Sequence, residues 1–281
     1  SSVENKEHFL KERMLFDVTL FSDGSNIQRK PKGHLYLYPL IAIAAMLAIV
    51  FVMDLPHMHK PKQQLSQTIR IPAGQRAQMD LPDGSVVWLN SQTTLTYDED
   101  FGKKDRKVTL DGEAYFEVAH NKEIPFYVQT ENIKVQVTGT KFDVCSYKGS
   151  NSFIARLIEG SINLLTNNAK EEKPITSLTK GKYFSMENGK YKTGEMSSNN
   201  ALAWMQGIYY FDDVPFKELL DKIALYYNYK ITVKNPKILE NYRCTGKFKD
   251  LDGIEHILKV IQKDHPFKYN IDNEHNKITI E

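Results

Sequence analysis

From Leu35 to Met53 the chain runs LYLYPLIAIAAMLAIVFVM without one charged side chain, and no other feature narrows its architecture as much. At a helical rise of ~1.5 Å per residue the run is about 28 Å long, close to the ~30 Å hydrocarbon core of a bilayer. Tyr36 and Tyr38 stand at its amino end, where aromatic rings favour the membrane interface, and Pro39 falls in the first turns, where a missing N–H costs least. A secretory signal peptide has a short basic start and a small-residue cleavage site, whereas 34 residues precede this run and Asp54-Leu55-Pro56-His57 follows it. A buried core helix is usually shorter and carries a polar stripe, which Ile41 to Met53 lack. The run reads as one transmembrane helix over 35–53.

Orientation rests on smaller differences. Arg29, Lys30 and Lys32 precede the run, while Lys60, Lys62 and Arg70 follow it. The first group lies closer, and a long following domain translocates largely regardless of charge, so the tail 1–34 is expected in the cytoplasm and the bulk of the chain outside. That tail holds a short amphipathic stretch, Glu4 to Phe16, too small to fold alone. With 41% hydrophobic and 26% charged residues the chain must fold, and a net charge of +2 gives no field that would select nucleic acid. Cys145 and Cys244 are too few for a disulfide scaffold, and they fall in different expected domains. No glycine-rich phosphate cradle, G-x-S-x-G elbow or H-E-x-x-H occurs. The His57/His59 pair beside the membrane reads as solvated, so neither cofactor nor metal is expected.

Beyond a juxtamembrane linker, 54–65, a β-rich region spans 66–196. Asp83-Gly84, Asp111-Gly112, Glu159-Gly160 and Asn188-Gly189 punctuate it as turns. The runs Val86 to Leu89, Lys107 to Leu110, Ala114 to Ala119, Phe126 to Thr130, Ile133 to Thr138, Lys141 to Tyr147, Phe153 to Ile158, Ser161 to Leu165 and Tyr183 to Met186 read as strands. With no helix-length pattern between them, they imply an antiparallel sandwich or barrel-like domain. After a polar linker, 197–203, the period changes. Gly207 to Phe211 reads as a strand, Asp212-Asp213 as a turn supplying caps, and Pro215 as the opening of a helix with Phe216, Leu219, Leu220 and Ile223 inward. Tyr229 to Val233, Tyr242 to Phe248, a helix Gly253 to Lys263, Phe267 to Ile271 and Lys277 to Ile280 follow. Residues 204–281 are thus expected to form an α+β module of two helices on a sheet.

Several of these stretches carry a resemblance. Ile71-Pro72-Ala73-Gly74-Gln75-Arg76, Leu81-Pro82-Asp83-Gly84-Ser85, Leu110-Asp111-Gly112-Glu113-Ala114-Tyr115-Phe116, Pro125-Phe126, Val137-Thr138-Gly139-Thr140-Lys141-Phe142-Asp143-Val144 and Glu159-Gly160-Ser161-Ile162 resemble the FecR family of anti-sigma factors. The module from Trp204 is similar to the carboxy-terminal domain of many FecR-like proteins, and so to the short domain of secretins and TonB-dependent transducers. The resemblance runs from about residue 66 to 281 in family order. It implies a single-pass inner-membrane regulator whose cytoplasmic end holds an extracytoplasmic-function sigma factor and whose periplasmic part reads the signalling domain of an outer-membrane TonB-dependent transporter. Binding, not turnover, is the implied function. Family members usually carry a larger cytoplasmic region than 1–34, so a longer native chain or a reduced sigma contact is expected. A periplasmic envelope- or carbohydrate-binding structural protein is the alternative.

Two candidate sites follow. Strand addition would dock the receptor on the edges at Ile208, Tyr209, Tyr210 and Phe211 and at Ile231 and Val233, backbone hydrogen bonds giving the affinity. Some family members cut themselves at a step like Gly139-Thr140. There the Thr140 hydroxyl stands beside the preceding carbonyl as an intramolecular nucleophile, and glycine would admit a strained backbone. A turn or bulge glycine between two strands is the plainer reading of the same dipeptide.

Overall fold

The computed structural model describes residues 65–167, 172–196 and 199–281, together with Ile43, Ala45 and Met46. Those three are helical, with Ile43 and Met46 exposed. The tail 1–34, the rest of the apolar run, most of the juxtamembrane linker with His57 and His59, and the start of the second linker at Ser197-Ser198 lie outside the described residues. Among the described residues no helix is long and apolar enough to cross a membrane.

The described strands all belong to the compact unit Gln64–Glu281. They are β1 (Ser66–Arg70), β2 (Ala77–Asp80), β3 (Val86–Leu89), β4 (Thr94–Asp98), β5 (Arg106–Glu117), β6 (Phe126–Gln129), β7 (Ile133–Val137), β8 (Lys141–Ser146), β9 (Ser152–Glu159), β10 (Ser161–Thr166), β11 (Pro174–Thr179), β12 (Lys182–Glu187) and β13 (Lys190–Glu195). The carboxy-terminal module adds β14 (Ile208–Pro215), α1 (Phe216–Tyr227), β15 (Lys230–Val233), β16 (Arg243–Lys249), α2 (Gly253–Asp264), β17 (Tyr269–Asp272) and β18 (Lys277–Ile280).

The first thirteen strands make two layers that share one strand. The first layer runs β11-β10-β7-β6-β5-β4-β1 and the second β2-β3-β5-β8-β9-β12-β13. The amino-terminal part of β5, up to Asp111, pairs with β4 and β6, whereas Gly112 to Glu117 pair with β8 and Ala114 to Glu117 with β3. The switch falls at Gly112, whose φ of +133° suits a residue without a Cβ; a Cβ there would lie 2.4 Å from Thr93 Oγ1. Asp111-Gly112 is therefore not the turn between two strands that the sequence suggests. It is a bend that carries one strand from layer to layer.

The layers are also not wholly antiparallel, because β5 and β6 pair in parallel, with Arg106 opposite Phe126. The reason is Arg106 itself. Its buried guanidinium donates to the carbonyls of Ala119 (2.7 Å), Asn121 (3.1 Å) and Ile124 (2.7 Å), which folds the loop after β5 back to the start of that strand, and it pairs with Asp83 at 3.1 Å. Between the layers Val87, Leu89, Leu95, Val108, Phe142, Leu157 and Phe184 are fully or almost fully buried, and Phe116 stacks on Phe142 with ring centroids 5.1 Å apart. The expected alternation thus does build the core.

The module has its own core of Phe216, Leu219, Leu220 and Ile223 from α1 and Ile254, Ile257, Leu258 and Ile261 from α2, closed by Phe267, Ile278 and Ile280. Its strands form two sheets rather than one: β14 pairs with β16, and β15-β18-β17 form a separate three-stranded sheet in which β15 and β18 are parallel. Pro215 precedes α1 with no side-chain cap. Asp212-Asp213 is a bulge inside β14, not a capping turn. The register shifts between Phe211 and Val214, Asp213 takes a φ of +48°, and Arg243 Nε binds its carboxylate at 2.7 Å.

Candidate docking and signalling site

The module lies on the outer face of the second layer, and that face differs from ordinary solvated sheet. Along β5 and β8 the residues alternate with the core set, so Glu113 and Tyr115 point away from Phe116, and Asp143 and Cys145 away from Phe142 and Val144. Yet Glu113 and Asp143 are only 4% and 0% exposed. They are covered by the module: Trp88, Tyr115 and Ile158 of the layer join Trp204, Tyr209 and Tyr226 in the module's core.

Under that cover is one cation for two carboxylates. Arg156 Nη1 lies 2.5 Å from Asp143 Oδ2 and 3.8 Å from Glu113 Oε1, and the other Glu113 oxygen accepts from Asn90 Nδ2 at 2.6 Å. Burial first, and then the Asp143 charge, push the Glu113 carboxyl up to about 7, against the pull of Arg156 and Asn90. Burial also raises Asp143, opposed by Arg156. Burial would lower Arg156, but Asp143 and Glu113 more than reverse that and hold it more firmly charged. The Trp204 indole N–H lies close enough to the Asp143 carboxylate to pull it down, though short of a well-formed hydrogen bond.

The module is tied down at the rim. Arg76, in the turn between β1 and β2, pairs with Asp250 and donates to the Trp204 carbonyl at 3.0 Å. Ser91 Oγ donates to the Tyr226 carbonyl at 3.3 Å and Gln92 Nε2 to the Leu225 carbonyl. Beside Arg76 opens a groove of about 340 Å³ lined by Met205, Gly207, Ile208, Lys249, Asp250 and Leu251, the last 97% exposed.

The expected docking residues do not come together in one place. Tyr209 and Phe211 are buried in the module core, Ile208 is half-buried and Tyr210 is exposed on the opposite face of β14. Ile231 and Val233 belong to the other sheet and pack partly against the core. Among the described strands, β14 and β15 each pair on one side only, with β16 and β18 respectively.

Gly139 and Thr140 lie between β7 and β8. Gly139 is not in the left-handed region; a Cβ at Gly139 would meet His120 Nδ1 at 2.4 Å, so close packing, not backbone strain, requires glycine there. Thr140 is buried, and its hydroxyl donates to the Ser161 carbonyl at 3.0 Å. Cys145 and Cys244 are both free thiols. Of this arrangement the sequence reasoning missed Arg76, Asn90, Glu113, Asp143, Arg156, Trp204 and Asp250 as partners. The only available signal was two carboxylates on the non-core face of adjacent strands, which ordinarily means a wet surface.

The family model described as FecR protein matches residues 67–163, and the one described as FecR, C-terminal, matches residues 208–280. Among solved structures, a 2.50 Å crystal structure of a proposed anti-sigma factor from Parabacteroides distasonis ATCC 8503 is similar, with a TM-score of 0.66 and 25% identity over 77% of this chain and 98% of that one. A 1.65 Å structure of a proposed anti-sigma factor from the same organism has a TM-score of 0.67 and 24% identity over 76% of this chain and 98% of that one, a likeness of fold. No curated protein matches the chain.

Proposed function

We propose that this chain, which belongs to the FecR family of anti-sigma factors, is a single-pass inner-membrane regulator that relays the state of an outer-membrane TonB-dependent transporter to an extracytoplasmic-function sigma factor. The observation that carries this reading is the order of the parts. An uncharged run of membrane-spanning length precedes a layered β region and an α+β module that match the two family models over more than half the chain. The function is regulatory binding. The cytoplasmic end takes the sigma factor, and the module takes the transporter's signalling domain by strand addition at β14, where Ile208 and Tyr210 present side chains outward and a groove opens beside them. Deleting 204–281 is expected to abolish transporter-dependent signalling; unchanged signalling refutes the docking. Protease protection in membranes tests the topology, and a carboxy-terminal bulk inaccessible from outside the inner membrane refutes it.

Self-cleavage at Gly139-Thr140 is part of the same proposal. The Thr140 oxygen attacks the Gly139 carbonyl carbon, the Thr140 nitrogen leaves with a proton, and water hydrolyses the resulting ester to a Gly139 carboxylate and the restored hydroxyl. Mass spectrometry of the protein as isolated tests this step: a fragment beginning at Thr140 supports it, and intact chain alone removes it.

A further inference from the structure

We propose that the module is seated on the second layer by a proton-operated latch, in which Glu113 and Asp143 share one proton beneath the module and loss of that proton lifts it. The geometry sets the conditions. Both carboxyls lie under Trp204, Tyr209 and Tyr226, and a single guanidinium serves them, at 2.5 Å from Asp143 and 3.8 Å from Glu113. With both carboxyls ionised the pocket holds two negative charges against one positive, and a buried surplus charge is expensive where water cannot reach it.

Among the described residues no other group facing Glu113 cancels that surplus; the Lys222 charge opposes it, but as the weakest of the influences on Glu113. From β8 come Asp143 and Cys145, and just beyond it Tyr147; burial pushes the thiol and the phenol up, so both stay neutral. From β9 comes Arg156. From α1 come Tyr226, also kept neutral by burial, and Lys222, whose ammonium is paired with Glu218 at 2.9 Å on the surface. The remaining way to neutrality is a proton on one carboxyl, and the loose Trp204–Asp143 contact leaves the seated arrangement short of full hydrogen bonding.

Lifting the module returns the carboxyls to water, where they ionise in their ordinary range. The seated form therefore holds a proton that the lifted form releases. Seating is favoured at low pH and weakens as pH rises from about 4.5 to the Glu113 value of about 7, by up to about tenfold per pH unit, and levels off above it.

The chain has two tryptophans, Trp88 and Trp204, and both lie at this interface, so acrylamide quenching of their fluorescence reads the latch directly on the full chain. Between pH 5.5 and 8.5 the quenching constant of the wild-type chain is expected to rise several-fold up to about pH 7 and to level off above it, and Glu113→Gln, which imitates the protonated form, is expected to stay low and flat. A flat wild-type profile, or an equal rise in Glu113→Gln, overturns the proposal. Should Glu113→Gln fail to fold, the carboxyl carbon resonances of the wild-type chain decide: one carboxyl titrating near 7 is expected, and titration of every Asp and Glu below about pH 5.5 refutes the latch.

Discussion

Arg106 is 2% exposed and serves four oxygens at once, three of them backbone carbonyls of a single loop. Replacing it strands Asp83 and those carbonyls in a dry site, and breaking a buried pair costs about 3–5 kcal/mol. Arg106→Met is expected to lose that much in urea unfolding, whereas a surface arginine would lose almost nothing. Gly112 is a second such position. Gly112→Ala must hold φ at +133° and place a methyl against Thr93, so a loss of about 2–4 kcal/mol is expected from the same measurement. Neither role was legible beforehand. An isolated arginine in a sequence looks solvated, and Asp-Gly is read as a turn because the dipeptide suits one; only the long-range approach of Thr93 distinguishes a bend from a reversal.

Among elements, the strands that alternation found are those with one face in the core, and β3 and β18 coincide with their expected limits. Those it missed, β1, β2, β4, β11 and β13, are short, and four of them are edges: β1 reads SQTIR and β13 KYKTGE. An edge strand is blunted with polar and charged side chains, which erases the very period that would reveal it. The module was legible as α+β from its helical stripes, but its division into two sheets was not, since pairing partners are fixed by packing between distant segments. The tie from Arg76 to Asp250 and the Trp204 carbonyl also spans such a distance. Arg76→Ala removes a charged hydrogen bond worth about 1.5–3 kcal/mol. Hydrogen exchange is expected to speed up in the 3-10 turn at Asp250–Asp252 and across α1, while β6 and β7 keep their protection. At the docking edge, Tyr210→Ser removes an exposed aromatic and is expected to weaken transporter-dependent signalling with Tm unchanged.

On the scale of the whole molecule, the buried carboxyls make stability depend on pH with a definite sign. Glu113 holds its proton up to about 7 in the folded chain but only to its ordinary 4.5 when unfolded, so between those values the folded state binds the extra proton. The associated stabilisation is complete below about 4.5 and lost as pH climbs through 7, and Asp143, also raised, acts in the same sense. Urea midpoints at pH 6 are expected to exceed those at pH 8 for the wild-type chain, and the difference to shrink in Glu113→Gln. A further consequence belongs to the twelve residues of β5. Since this ribbon is woven into both walls, neither wall can melt while the other stands, and heating should dismantle residues 66–196 in one cooperative step however differently the two walls are composed.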